Sequence, residues 1–85
     1  MQLLKFTAEA KADLAKLDKP TARQVFKKSG WLAENFDLIT PEPLTGEWKG
    51  VYKLRVGDYR VLYTYDQTRL VVHSIRHRRE VYKTK

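Results

Sequence analysis

The sequence predicts an α+β domain in which two N-terminal helices pack on a small antiparallel β-sheet, in the order βααβββ. Three observations carry this expectation. A stripe of apolar residues with helical spacing runs from Ala22 to Phe36. After residue 50 the pattern changes to runs rich in valine, leucine and tyrosine, and Gly57-Asp58 divides two of those runs.

Residues 2–6 alternate weakly, enough for a short first strand. Thr7 then offers a side-chain oxygen to cap a helix over 8–17, with Ala10, Leu14 and Leu17 on one face. Asp18-Lys19-Pro20 reads as a stop and a restart, with Pro20 in the first turn of a second helix. In that helix Ala22, Val25, Phe26, Ser29, Leu32, Ala33 and Phe36 fall on a single stripe. Gly30 weakens it by about 1 kcal/mol relative to alanine, too little to break it. Thr40-Pro41-Glu42-Pro43 and Thr45-Gly46 place a connecting loop over 37–50.

Strands are expected over 51–56, 59–65 and 70–75, the last two separated by the turn Asp66-Gln67-Thr68. The tail from His77 to Tyr82 either extends the last strand or folds back as a short edge strand.

Eighty-five residues make one domain, spanning 1–85, that buries roughly 60–65% of its unfolded surface. The chain has no cysteine, which excludes a disulfide framework and a thiolate metal site and fits a reducing cytoplasm. Its first six residues are too short and interrupted for a signal peptide, and no apolar run approaches a membrane span. A soluble, cytoplasmic protein with no membrane partner is expected. Net charge is +7, and the excess is concentrated beyond residue 48, where ten Lys/Arg face only Asp58, Asp66 and Glu80. That asymmetry suits a polyanionic partner, nucleic acid above all, although a basic surface covered by an acidic protein has the same composition.

With Gly57 and Asp58 as the two turn residues, Arg55 pairs with Arg60 and Lys53 with Leu62. Period-two geometry then gathers Lys53, Arg55, Arg60 and Leu62 on one face. Tyr52, Leu54, Val56, Val61 and Tyr63 take the other, the core face beneath the helices. Two arginines directly opposite repel by about 0.7 kcal/mol at about 6 Å in water. An arriving anion reverses the sign of that interaction. In the alternative, the long arginine stems splay into water and the cost disappears. A register slip of one residue would exchange the two faces.

The tail adds Arg76, His77, Arg78 and Arg79 beside Tyr82, a set suited to phosphate clamping and base stacking, or to an ordinary basic tail. His77 is the imidazole of that set, the side-chain type suited to moving protons, while His73 has no evident role. Neither a metal-ligand spacing nor a Gly-rich phosphate loop is present, so no metal or cofactor is expected. Trp31 falls off the apolar stripe and either anchors a protein partner or covers the flank of the domain.

Leu44-Thr45-Gly46, the run from Tyr52 to Tyr63 containing LRVGDYRVLY, and the terminal HRREVY resemble the RelE toxins of prokaryotic toxin–antitoxin pairs, within the RelE/ParE superfamily. The likeness spans essentially the whole chain. It implies a small antiparallel sheet with two N-terminal helices and a metal-independent endoribonuclease, an mRNA interferase that cuts messenger RNA in the ribosomal A site and so inhibits translation. By position, Arg60 and Arg78 would clamp the scissile phosphate, and Lys53 and Arg55 would serve the nucleophile and bind the backbone. Tyr82 would orient or activate the 2′-hydroxyl, and His77 would assist the leaving group. The implied partners are the ribosome with its mRNA and a RelB-like antitoxin in a hetero-oligomeric complex. Arginine stands at 55 where some relatives have lysine, and at 76 where many have glycine. The rival expectations are a ParE-like inhibitor that binds DNA gyrase without catalysis and an RNA-binding module that cuts nothing.

Overall fold

Caps mark both helices. The Thr7 side chain accepts from the Ala10 N–H at the start of α1 (Ala8–Lys16), and Asp18 accepts from the Thr21 N–H at the start of α2 (Lys19–Glu34). Pro20 lies in the first turn of α2, where its missing N–H has no intrahelical partner to lose. The computed structural model describes residues 1–44 and 50–79. Its strands are β1 (Leu3–Phe6), β2 (Glu42–Pro43), β3 (Tyr52–Val56), β4 (Tyr59–Tyr65) and β5 (Arg69–His77), with a short 3₁₀ turn at Phe36–Leu38.

The strands form one sheet in the order β1-β5-β4-β3-β2. The α+β architecture with two N-terminal helices is as the sequence predicts, and the sheet differs in one respect. It is mixed, because β1 pairs parallel to β5 while the other neighbours are antiparallel. The connection from β1 to β5 runs through both helices and β2 to β4, the long path that a parallel pair requires. The expected loop over 37–50 contains the two-residue strand β2. The last strand runs two residues beyond Ile75, after which 78–79 turn helical. Residues 80–82 of the expected tail, and with them a fold-back edge strand there, lie outside the described residues.

The hairpin register is the one read from the sequence: Val56 pairs with Tyr59, Arg55 with Arg60, Leu54 with Val61 and Lys53 with Leu62. Gly57 takes φ +59° while Asp58 stays at negative φ, the signature of a type II′ turn with glycine first. Val56, Val61 and Tyr63 enter the main core with Ala10, Val25, Leu32, Leu70, Val72 and Ile75. Burial of Tyr63 pushes its phenol up to about 12. On the opposite face Leu62 and Leu44 form a second, smaller apolar cluster, with Val51 against it.

One residue of the helical stripe departs from the pattern. Phe26 is 59% exposed, stacked on Phe6 of β1 with ring centroids 5.9 Å apart, whereas Val25, Ser29, Leu32 and Ala33 are buried. The stripe is broader than the surface it meets, so its margin stays in solvent. Ser29 is accommodated in the core by donating to the Val25 carbonyl one turn back, at 2.8 Å.

Candidate nucleic-acid interface

The site begins with an irregularity in β5. Near the β4–β5 turn, Tyr65 pairs with Leu70 and Tyr63 with Val72; beyond it, Leu62 pairs with Ser74 and Arg60 with Arg76. His73 is therefore the extra residue of a β-bulge. Its carbonyl accepts from the Thr7 hydroxyl at 3.0 Å, and its Nε2 lies 2.8 Å from Thr64 Oγ1. Without the bulge, Arg60 would face Ile75, and Arg76 would turn to the core side of the sheet. With it, Arg55, Arg60 and Arg76 form one row across three adjacent strands. The row spans about 10 Å at the usual strand spacing.

Within this row Arg60 is 7% exposed. Its Nη1 donates to the Tyr59 carbonyl at 3.2 Å, while its Nε is buried without a hydrogen-bond partner among the described residues. Arg55 is exposed on β3. The Arg76 Nη2 donates to Glu9 Oε2 of α1 at 2.8 Å, and its Nε is likewise buried without a partner among the described residues. Lys53 lies one period further along β3 on the same face, with its Nζ 3.8 Å from Glu42 Oε2 of β2. A buried donor left unsatisfied costs about 1–3 kcal/mol, and more when charged. Such a row therefore favours an anion over water.

The remaining expected residues cluster at the end of β5. The Arg78 backbone N–H donates to the Asp58 carbonyl at 2.8 Å, which ties the start of the tail to the hairpin turn. Its side chain is exposed, beyond the end of the strand that carries Arg76. His77 stands opposite Tyr59, ring edge to ring face at 5.5 Å, and its Nδ1 accepts from the Arg79 N–H at 3.3 Å. Tyr82 and Thr45-Gly46 lie outside the described residues.

Lys53, Arg55 and Arg60 thus share the face expected of them, and His77 and Arg78 sit at the adjoining strand end. Sequence reasoning missed that Arg76 joins the row, and it missed the carboxylates of Glu9 and Glu42 that hold two of the cations. Counting register across the β4–β5 turn would have found Arg76 only with the bulge included. Trp31 is 50% exposed and lines a groove of about 390 Å³ between α2 and β3, with Lys27, Lys28, Leu54 and Arg55. Among the described residues, no group of three His, Asp or Glu is placed to hold a metal ion, and no helix is long and apolar enough to cross a membrane.

Comparison with known proteins bears on the family and the fold. A family model described as the ParE toxin of the type II toxin–antitoxin system, parDE, matches residues 4–82. The structure is similar to the RelBE2 toxin–antitoxin complex of Mycobacterium tuberculosis, with 32% identity over 89% of this chain and 96% of that one and a TM-score of 0.78. It is also similar to the isolated E. coli RelE toxin, with 26% identity over 98% and 93% of the two chains and a TM-score of 0.73. The E. coli DinJ-YafQ toxin–antitoxin complex shares the fold at 17% identity, covering 95% and 97% with a TM-score of 0.74. No curated protein matches the sequence.

Proposed function

The chain belongs to the RelE/ParE superfamily of toxins from type II toxin–antitoxin systems, and from that premise we propose that it is a RelE-type endoribonuclease acting on messenger RNA in the ribosomal A site. The observation that supports this reading is Arg60. A nearly buried arginine, flanked by two more across adjacent strands and with Lys53 on the same face, is an expensive arrangement for a sheet that only has to be stable. Oriented toward a phosphate, the same residues stabilise the negative charge that builds up as phosphorus becomes five-coordinate.

In the proposed reaction a ribose 2′-oxygen attacks the adjacent phosphorus and loses its proton to a base. The bond from phosphorus to the 5′-oxygen breaks, the 5′-oxygen takes up a proton, and the upstream fragment ends in a 2′,3′-cyclic phosphate. Arg60 and Arg78 clamp the phosphate. Lys53 and Arg55 position the nucleophile and the neighbouring backbone, with Arg55 as a clamp only, since a guanidinium does not give up its proton near neutrality. Tyr82 orients the 2′-hydroxyl and His77 supplies the leaving-group proton.

An antitoxin partner follows from the same premise, because two of the similar structures are toxin–antitoxin complexes. The protein would work in the cytoplasm, blocked by that partner in a hetero-oligomer until released. A second reading is favoured by the ParE name of the matching family and by the exposed Trp31 groove: a ParE-like toxin that binds DNA gyrase and cuts nothing. Primer extension on a defined mRNA in a reconstituted translation reaction separates the two. A break in the A-site codon that requires ribosomes supports the nuclease; an intact message together with inhibited supercoiling by gyrase supports the other.

A further inference from the structure

Within the arginine row, Arg76 is held by a carboxylate from outside the sheet. β1 ends at Phe6, opposite Val72, so β5 from His73 onward has no strand neighbour on that side among the described residues. Helix α1 runs along this edge instead. Thr7 Oγ1 donates to the His73 carbonyl at 3.0 Å, and Asp13 Oδ2 accepts from the Ile75 N–H at 3.0 Å. Between them in the chain, Glu9 Oε2 accepts from the Arg76 Nη2 at 2.8 Å. The first two bonds satisfy backbone groups of the edge strand, and they dock the helix without Arg76. The third joins two side chains that are each about half exposed, where an ion pair adds little to stability.

Arg76 thus brings a cation to a position where stability does not require one. Its cross-strand neighbour on β4 is Arg60, and like charges directly opposite weaken a sheet. The Nε atoms of both arginines are buried without a hydrogen-bond partner among the described residues. Glu9 engages Nη2 alone, while every N–H of a guanidinium is a donor. A phosphodiester offers a pair of unesterified oxygens and a full negative charge, and it matches the guanidinium fork as well as a carboxylate does.

We propose that Arg76 binds the RNA phosphate next to the one held by Arg60, and that Glu9 is the internal carboxylate which that phosphate displaces. In the free protein Glu9 keeps Arg76 turned toward α1 and offsets its repulsion of Arg60. As the RNA strand settles across the row, Nη2 leaves Glu9 and the guanidinium turns its N–H groups to the phosphate oxygens. Glu9 is then left in water. The RNA character of the anion rests on the function proposed above; the exchange of a carboxylate for a phosphate needs no cleavage.

The test is a double-mutant cycle read by fluorescence anisotropy, with 2′-O-methyl hexauridine bound to the full chain between about 50 and 200 mM salt. The 2′-O-methyl group removes the nucleophile, so binding is read without cleavage. Arg76→Gln should weaken binding about tenfold at the lower salt, the order of one charge-assisted hydrogen bond. It should also reduce the slope of log K against log salt by about 0.7, the release expected from one single-strand phosphate. Glu9→Gln should tighten binding about threefold, the scale of a half-exposed ion pair. In the Arg76→Gln background Glu9→Gln should add nothing, because its effect is to release Arg76. A gain of the same size that survives there would make Glu9 a general source of repulsion and overturn the exchange. So would an Arg76→Gln protein, folded by circular dichroism, that binds with the parent's affinity and slope, or a parent that does not bind the probe. Coupled binding by a protein that leaves mRNA whole in translation would support the Glu9–Arg76 exchange and remove the nuclease reading.

Discussion

Arg60 on β4 and Arg76 on β5 stand directly opposite one another, and they do so because His73 is bulged out of β5. Arg55 faces Arg60 from the other side, so the middle arginine has a like charge on each flank. Like charges across a pair destabilise a sheet by some tenths of a kcal/mol to about 1 kcal/mol. Arg55→Thr should therefore raise the urea midpoint of unfolding by an amount in that range while slowing RNA cleavage. A variant no more stable than the parent would mean that the outer arginine already splays into water.

The hairpin turn depends on a single backbone conformation. At Gly57 φ is +59°, a region where a side chain costs about 1–2 kcal/mol. No atom lies within 4 Å of a Cβ added there, so the penalty of Gly57→Ala comes from the backbone alone. The expected loss is about 1 kcal/mol, read from chemical denaturation. Because the turn also aligns Arg55 with Arg60, activity should fall further than stability does.

Much of this was legible in the sequence, and the limit lies in specific residues. The alternation of Tyr52–Val56 and Tyr59–Tyr65 about Gly57-Asp58 specifies register and faces together, since glycine is the residue a II′ turn requires at its first position. The β4–β5 pairing was not legible in the same way. Asp66 organises its turn by accepting from the Thr68 and Arg69 N–H groups, and His73 then adds one residue to β5 only. Nothing in the local composition marks a bulge at His73, so the place of Arg76 in the row emerges only from the fold. The parallel pairing of β1 was hidden for a related reason, because it depends on how both helices pack and not on the four residues of the strand.

The helical stripe makes a graded prediction. Leu32 is 1% exposed, and Leu32→Ala should cost about 2–5 kcal/mol through lost burial and the cavity left behind. Phe26 belongs to the same stripe but is mostly in solvent against Phe6, so Phe26→Ala should cost less than Leu32→Ala despite removing the larger side chain. Equal losses in thermal melts of the two variants would contradict the packing described.

Acid should weaken the fold in a defined direction. The backbone N–H groups of Thr68 and Arg69 hold the Asp66 carboxyl below its ordinary value, and the Thr21 hydroxyl and N–H do the same for Asp18. A carboxyl depressed in the folded state stabilises fully above its unfolded pKa of about 3.9 and loses that contribution as pH falls through its folded value. The melting temperature should therefore drop below about pH 4. In Asp66→Ala the parent's extra loss on acidification should shrink, as thermal melts at pH 5 and pH 3 would show.

The central claim is that Arg60 sits where it does to hold a phosphate during cleavage. The most direct measurement is the single-turnover cleavage rate of a programmed ribosome–mRNA complex by the parent and by Arg60→Ala, with circular dichroism confirming that both are folded. The expected rate for the variant is on the order of 100- to 1,000-fold slower, the usual cost of losing one preorganised charge stabiliser, with the parent's product ending in a cyclic phosphate. A folded Arg60→Ala protein that cleaves as fast as the parent would contradict it.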